Sequence, residues 1–197
     1  VSAEGALSYW FIAETTHILI DDGISRKRVI EGLTMLDIKA EDIDALLITH
    51  EHDDHTSGLG VLERHCPIPV YGTGMTLAAI ENNSKLGKVP EGIFNPIHAG
   101  DSFMIGDVTI KSTSVSHDAA DPVAYTFSSG KSKAGIITDL GVYTEVIHSH
   151  KQNAKVLGKP CPLFVPLVEE GWLKDPVTVE VANRYLEPLL ESGIDTL

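Results

Sequence analysis

Thr49-His50-Glu51-His52-Asp53-Asp54-His55 places three imidazoles and three carboxylates within seven residues. Imidazole nitrogen and carboxylate oxygen both suit Zn²⁺ and related ions, whereas so many adjacent polar groups at a strand end make a poor structural device. The stretch Ile43 to Thr49 (IDALLIT) before it is apolar and reads as a buried strand that delivers His50 at its C-terminal end. Side chains alternate along a strand, so His50 and His52 point to the same side. Asp54 and His55 then fall on the following turn and face back toward them or toward a second ion. The competing reading of the run is a solvated polar loop.

Working outward, Thr16 to Asp22 (THILIDD) suits a strand closed by Gly23, and Arg26 to Leu36 suits a helix capped by Ser25, with Val29, Ile30, Leu33 and Leu36 at helical spacing. Beyond the histidine run, Leu59 to His65 reads as a short helix. Pro67 to Tyr71 reads as a strand whose prolines favour a sheet edge. Thr76 to Asn82 suits another helix, Ser102 to Val108 and Thr109 to Val115 a hairpin, and Val123 to Ser128 and Ala134 to Thr138 two further strands. This order predicts a layered α/β or α+β domain.

From Gly141 the pattern changes to helix (Tyr143 to His150), strand (Ala154 to Leu157) and helix (Asp175 to Glu191), the last with Asp175 as N-cap, Pro176 in its first turn and Gly193 beyond its end. At 197 residues, with 43% hydrophobic and 22% charged residues, the chain can bury a core without staples. A formal charge of −13 argues against a broadly basic face that tracks phosphates, although it leaves room for a local basic groove. Cys66 and Cys161 lack any paired spacing, which points to a reducing compartment. No apolar run approaches the roughly 20 residues of a membrane span, and no signal-peptide layout is present; a cytoplasmic protein is expected.

The Thr49 to His55 run resembles the THxHxDH signature of the metallo-β-lactamase superfamily. Ser116-His117-Asp118-Ala119-Ala120-Asp121-Pro122-Val123-Ala124-Tyr125 resembles the second histidine motif of its WalJ (YycJ) branch, which is linked to DNA 5′-exonuclease activity, and Thr138-Asp139-Leu140-Gly141 resembles the metal-bridging aspartate motif. The resemblance covers about residues 5–141, with its motifs in the family order. It implies an αββα sandwich in which His50, His52 and His117 bind one metal, Asp54 and His55 bind another, and Asp139 bridges the two. Zn²⁺ is the expected metal, with Mn²⁺ as the alternative. Such sites lower the pKa of a shared water so that it attacks a phosphorus or carbonyl centre. Asp54 would also orient that water, and Asp22 and Asp118 are candidate acceptors that fix histidine tautomers, with exposed turn acids as the competing reading. His17, His65 and His98 read as structural or exposed, and His148 and His150 do not face each other on their predicted helix.

Val142 to Leu197 departs from this family. Cys161-Pro162-Leu163-Phe164-Val165-Pro166-Leu167-Val168-Glu169-Glu170-Gly171-Trp172 resembles an internal stretch of bacterial glutamate racemase. The expected organisation is therefore a metal-binding domain over residues 1–141, incomplete on its C-terminal side, and a short α/β appendage over 142–197. A hybrid reading frame, a chimeric sequence and an unusual natural fusion all fit this junction. The last histidine of the family pattern is absent after Asp139, so the second metal is expected to bind more weakly, and the sheet edge is expected to lie open unless the appendage covers it. Racemisation needs two opposed acid/base groups, and Cys161 matches neither family position. The functional expectation is a metal-dependent hydrolase, with a phosphodiester in nucleic acid or a small molecule as substrate. A folded metal-binding protein without activity is the alternative, and a racemase remnant a remoter one.

Overall fold

Leu19 packs into one hydrophobic cluster while its neighbours Ile18 and Ile20 pack into another, so this strand is buried on both faces. Strands of that kind lie in the interior layer of a stacked fold. A computed structural model of the chain describes residues 2–3, 6–130, 132–139, 157–158 and 163–167. In chain order its elements are β1 (Ser2–Ala3), β2 (Ala6–Leu7), β3 (Tyr9–Ile12), β4 (His17–Ile20), α1 (Arg26–Met35), β5 (Ala45–Leu47), α2 (Asp53–Thr56), α3 (Leu59–His65), β6 (Val70–Thr73), α4 (Gly74–Glu81), β7 (Phe94–Ile97), β8 (Ser102–Ile105), β9 (Val108–Ser114), β10 (Val123–Ser129), β11 (Ser132–Ile137), β12 (Leu157–Gly158) and β13 (Leu163–Leu167). Single 3₁₀ turns occur at Ala40–Asp42 and Ser84–Leu86.

Two sheets result. The first has the order β3-β4-β5-β6-β7, antiparallel between β3 and β4 and parallel thereafter. The second, β12-β13-β11-β10-β9-β8, is antiparallel throughout. Val29 and Leu33 of α1, Leu59 and Leu62 of α3, and Leu77 and Ile80 of α4 bury the outer face of the first sheet through Leu19, Leu46 and Val70. Each such aliphatic side chain contributes about 2 kcal/mol by leaving water. Ile18, Ile20, Ala45 and Leu47 on the other face meet Ile110, Val123, Tyr125, Phe127 and Ile136 of the second sheet. Among the described residues no helix covers the far side of that second sheet.

Several expectations change. The strand at Val70–Thr73 is interior, paired on both sides, because Pro67 and Pro69 precede its ladder; Pro96 instead lies in β7, at the end of the sheet. Strands β3 and β7 carry no clear alternation and were not expected. Ser25 stands at the N-cap of α1, but its hydroxyl makes no capping hydrogen bond. The hairpin is present as β8 and β9, turning on Gly106-Asp107 with Gly106 at φ 53°. Residues 163–167 pair with β11, so part of the racemase-like segment covers that sheet edge. The helices expected at 143–150 and 175–191, and residues 154–156 of the expected strand, lie outside the described residues.

Candidate metal centre

The parallel strands of the first sheet end together, and ligands in open α/β sheets gather beyond such carboxyl ends. Asp21 follows β4 there with φ 56°, in the left-handed region that Asp tolerates better than most residues. Its fully buried carboxylate accepts from the Thr49 N–H (2.8 Å), the Thr49 hydroxyl (2.8 Å) and Nδ1 of His55 (2.8 Å). The Thr49 oxygen also lies 3.1 Å from Nδ1 of His50 and accepts from the Thr138 hydroxyl at 3.1 Å. These bonds place the proton of each ring on Nδ1 and leave Nε2 of His50 and of His55 facing the centre. That assignment follows from the hydrogen-bond pattern.

Asp139, at φ 45°, brings Oδ2 to 2.6 Å from Nε2 of His55 and 3.7 Å from Nε2 of His50. All three atoms are buried, and none has an aligned hydrogen-bond partner. Alongside them Nε2 of His117 lies 3.2 Å from Nδ1 of His52, with the rings of His50 and His117 4.8 Å apart. Asp118 supports this pair: its Oδ1 is 3.0 Å from Nδ1 of His117, and its carbonyl oxygen is 3.1 Å from Nε2 of His52. The donor atoms of His50, His52 and His117, and those of His50, His55 and Asp139, each lie within 4.8 Å of one another. Imidazole nitrogens and a carboxylate oxygen that converge in a buried spot fit a divalent metal, which can replace the proton held between them.

Burial pushes His50 down to about 4, helped by the neighbouring His55, which keeps the ring neutral and able to coordinate. Burial also pulls His55 down, but the carboxylates of Asp21 and Asp139 outweigh it and raise the ring to about 10. A metal at Nε2 therefore displaces a proton held by the same negative charges.

Asp54 reaches this centre only at its margin, with Oδ2 3.5 Å from Nε2 of His55 and a half-exposed side chain. Asp22 contacts no histidine through its carboxylate; Asp21 does, because the left-handed turn at Asp21 sends that side chain to His55. Asp22 holds the site by its backbone instead, donating to the His55 carbonyl (2.7 Å) and accepting from the Gly58 N–H (2.8 Å). Its buried carboxyl is pushed up to about 8 by burial, then by Glu63 and Asp21. Asp53 turns outward to Lys85 (2.7 Å). His17, His65 and His98 engage the Asp42 carbonyl, the Val61 carbonyl and Asp101, away from the centre. His148 and His150 lie outside the described residues.

The loop with His117 is fastened from three directions. The backbone N–H of Val123 donates to the Thr49 carbonyl (3.0 Å), joining the start of β10 to the histidine run. The hydroxyls of Thr73 and Thr76 donate to the Asp121 carbonyl, and Oε1 of Glu51 accepts from the Ala120 N–H at 2.7 Å. Sequence reasoning passed over Asp21, Glu51 and Thr138. The one available signal was position beside a strand end or a histidine.

Two stacked sheets with histidines and aspartates gathered at one edge define a metallo-β-lactamase fold. The chain matches the Beta-lactamase superfamily domain over residues 16–171 and belongs to that superfamily. It is 36% identical over 156 residues to exodeoxyribonuclease WalJ of Streptococcus pneumoniae serotype 2, a match covering 78% of this chain and 58% of WalJ. The chain thus spans little more than half the length of that relative. A separate match, 51% identical over 55 residues, is to glutamate racemase of Synechocystis sp., covering 28% of this chain and 20% of the racemase. Among solved structures, Zn(2+)-bound PqqB from Methylobacterium extorquens aligns with TM-score 0.61 at 18% identity, over 73% of this chain and 56% of PqqB, a likeness of fold.

Proposed function

We propose that this chain is a metal-dependent hydrolase of phosphodiester bonds in nucleic acid, acting from chain ends. The observation that carries the hydrolase reading is the convergence of buried Nε2 of His50, Nε2 of His55 and Oδ2 of Asp139 beside the His52–His117 pair. His50, His52 and His117 would hold one ion, and His55 and Asp54 a second, weaker one, with Asp139 shared; Zn²⁺ suits this nitrogen and carboxylate set, and Mn²⁺ is the alternative. Bound there, the ions lower the pKa of a water and polarise the group it attacks. Asp54, half exposed beside His55, would orient that water and accept its proton. Asp21, Thr49 and Asp118 keep the imidazoles in the required tautomers. The preference for DNA rests on similarity to WalJ, and a small phosphodiester is the other substrate considered.

Residues 142–197 form, in this reading, a racemase-like appendage to the domain of residues 1–141, and contribute no racemase chemistry. Among the described residues no helix is long and apolar enough to cross a membrane, and a cytoplasmic location is proposed. The test is turnover of bis-p-nitrophenyl phosphate and of single- and double-stranded DNA ends, before and after chelation. Activity that disappears with chelator and returns with Zn²⁺ or Mn²⁺ supports the proposal. Stoichiometric metal without turnover of any of these substrates would establish the alternative, a metal-binding protein without catalysis.

A further inference from the structure

Glu51 lies between two of the histidines and points to neither triplet of donor atoms. Its Oε1 crosses to the Ala120 N–H at 2.7 Å, 69 residues away, while its buried Oε2 has no hydrogen-bond partner. A carboxylate normally accepts several hydrogen bonds; among the described residues this one commits a single bond, to the loop between β9 and β10. That loop carries His117 and Asp118, and through them both contacts that define the half of the centre built on His52. The remaining fastenings of the loop, the two threonine hydroxyls on the Asp121 carbonyl and the Val123 to Thr49 bond, lie on the β10 side of Ala120. Val115, two residues before His117, is tied only within the loop, to the Pro122 carbonyl; the Glu51 carboxylate, three residues after it at Ala120, ties the loop to the histidine run.

We infer that Glu51 is a positioning residue, a clamp that keeps His117 in register with His52 by holding the Ala120 N–H. This rests on the metal-site reading above and goes beyond it by assigning a role to the one acid of the histidine run that faces the second sheet. A charge-assisted bond of this kind is about twice as strong as a neutral one. Losing a partner that orients ligands typically costs about 10–100-fold in metal affinity.

The experiment compares wild type with Glu51→Ala and Glu51→Gln by Zn²⁺ competition against a chromogenic chelator, and by amide hydrogen exchange at Ala120 in metal-free protein. Glu51→Ala is expected to lose protection at Ala120 and to bind Zn²⁺ about tenfold or more weakly, with unchanged stoichiometry at saturation. Glu51→Gln, which retains the acceptor oxygen, is expected to restore protection and most of the affinity. Wild-type affinity in Glu51→Ala, or equal weakening in both variants, overturns the assignment. A wild-type chain that takes up no Zn²⁺ overturns the metal reading instead; Ala120 exchange then judges the clamp alone, and persisting protection in Glu51→Ala overturns it.

Discussion

The two sheets contribute unlike halves to one centre. The first supplies His50 and His55, with side chains 2% and 0% exposed and braced by an Asp21 carboxylate that is itself sealed from water, and sends the more open His52 and Asp54 to the rim. The second supplies His117 and Asp139 from loops, 18% and 24% exposed, with Asp118 89% exposed behind His117. Their strands differ in the same way: β5 is buried at every residue, whereas β9 alternates buried and exposed over most of its length. One half is thus built into the hydrophobic core and coupled to global stability, and the other is attached to it by hydrogen bonds.

The sharpest way to break that contrast is Asp21→Ala. It strips the acceptor from three buried donors, and losing one partner of a buried charged pair costs about 3–5 kcal/mol. An unfolding free energy from urea titration of metal-free protein that falls by less than about 1 kcal/mol would erase the distinction between the halves. Glu63, buried in α3 on the outer face of the first sheet, comes next. Burial pushes its carboxyl up to about 7 against the bond it accepts from the Ile68 N–H. The folded state holds that proton more tightly than the unfolded state, so stability falls as pH rises from about 4.5 to about 7, at up to roughly 1.4 kcal/mol per pH unit. Glu63→Gln keeps an acceptor for Ile68 and should make the fall of unfolding free energy with pH less steep across that window, leaving the part that Asp22 contributes; an unchanged slope would refute the assignment.

On the opposite side, Asp118→Ala should lower Zn²⁺ affinity about tenfold by freeing Nδ1 of His117, with a melting temperature close to wild type in metal-free protein. A large loss of apo stability would show that this half is structural too. Smallest of all is Lys85→Ala, which removes an exposed ion pair to Asp53. Solvent screens such pairs, so neither the melting temperature nor metal affinity should shift measurably.

How much of this could be read beforehand follows the same division. The ligands of the first sheet are contiguous from His50 to His55, and the hydrophobic run before them announces the strand that carries them. Asp21 and Asp22 could not be separated, because the choice depends on a left-handed φ that no residue type dictates. The interior place of β6 was hidden for a related reason: Pro67 and Pro69 suggested an edge, yet both precede the paired residues, and Pro69 offers the neighbouring strand only its carbonyl, which accepts from the Leu46 N–H. β3 and β7 are four residues each, too short for a periodicity to declare itself. Glu51 was visible as a residue but not as a contact, since its partner lies 69 positions away. The strand at 163–167 has its partner β11 some thirty residues earlier, and no local pattern in the segment similar to racemase announces that pairing.

Gly58 touches no candidate ligand, yet a methyl group there would run into the Ile24 carbonyl and lie 2.8 Å from Oδ1 of Asp22. Any side chain at this position must push apart the turn that grips α2 by the backbone of Asp22, and with it the placement of His55. In a saturation scan read out by metal uptake, position 58 should therefore tolerate substitution as poorly as the histidines themselves, a constraint of space rather than of chemistry.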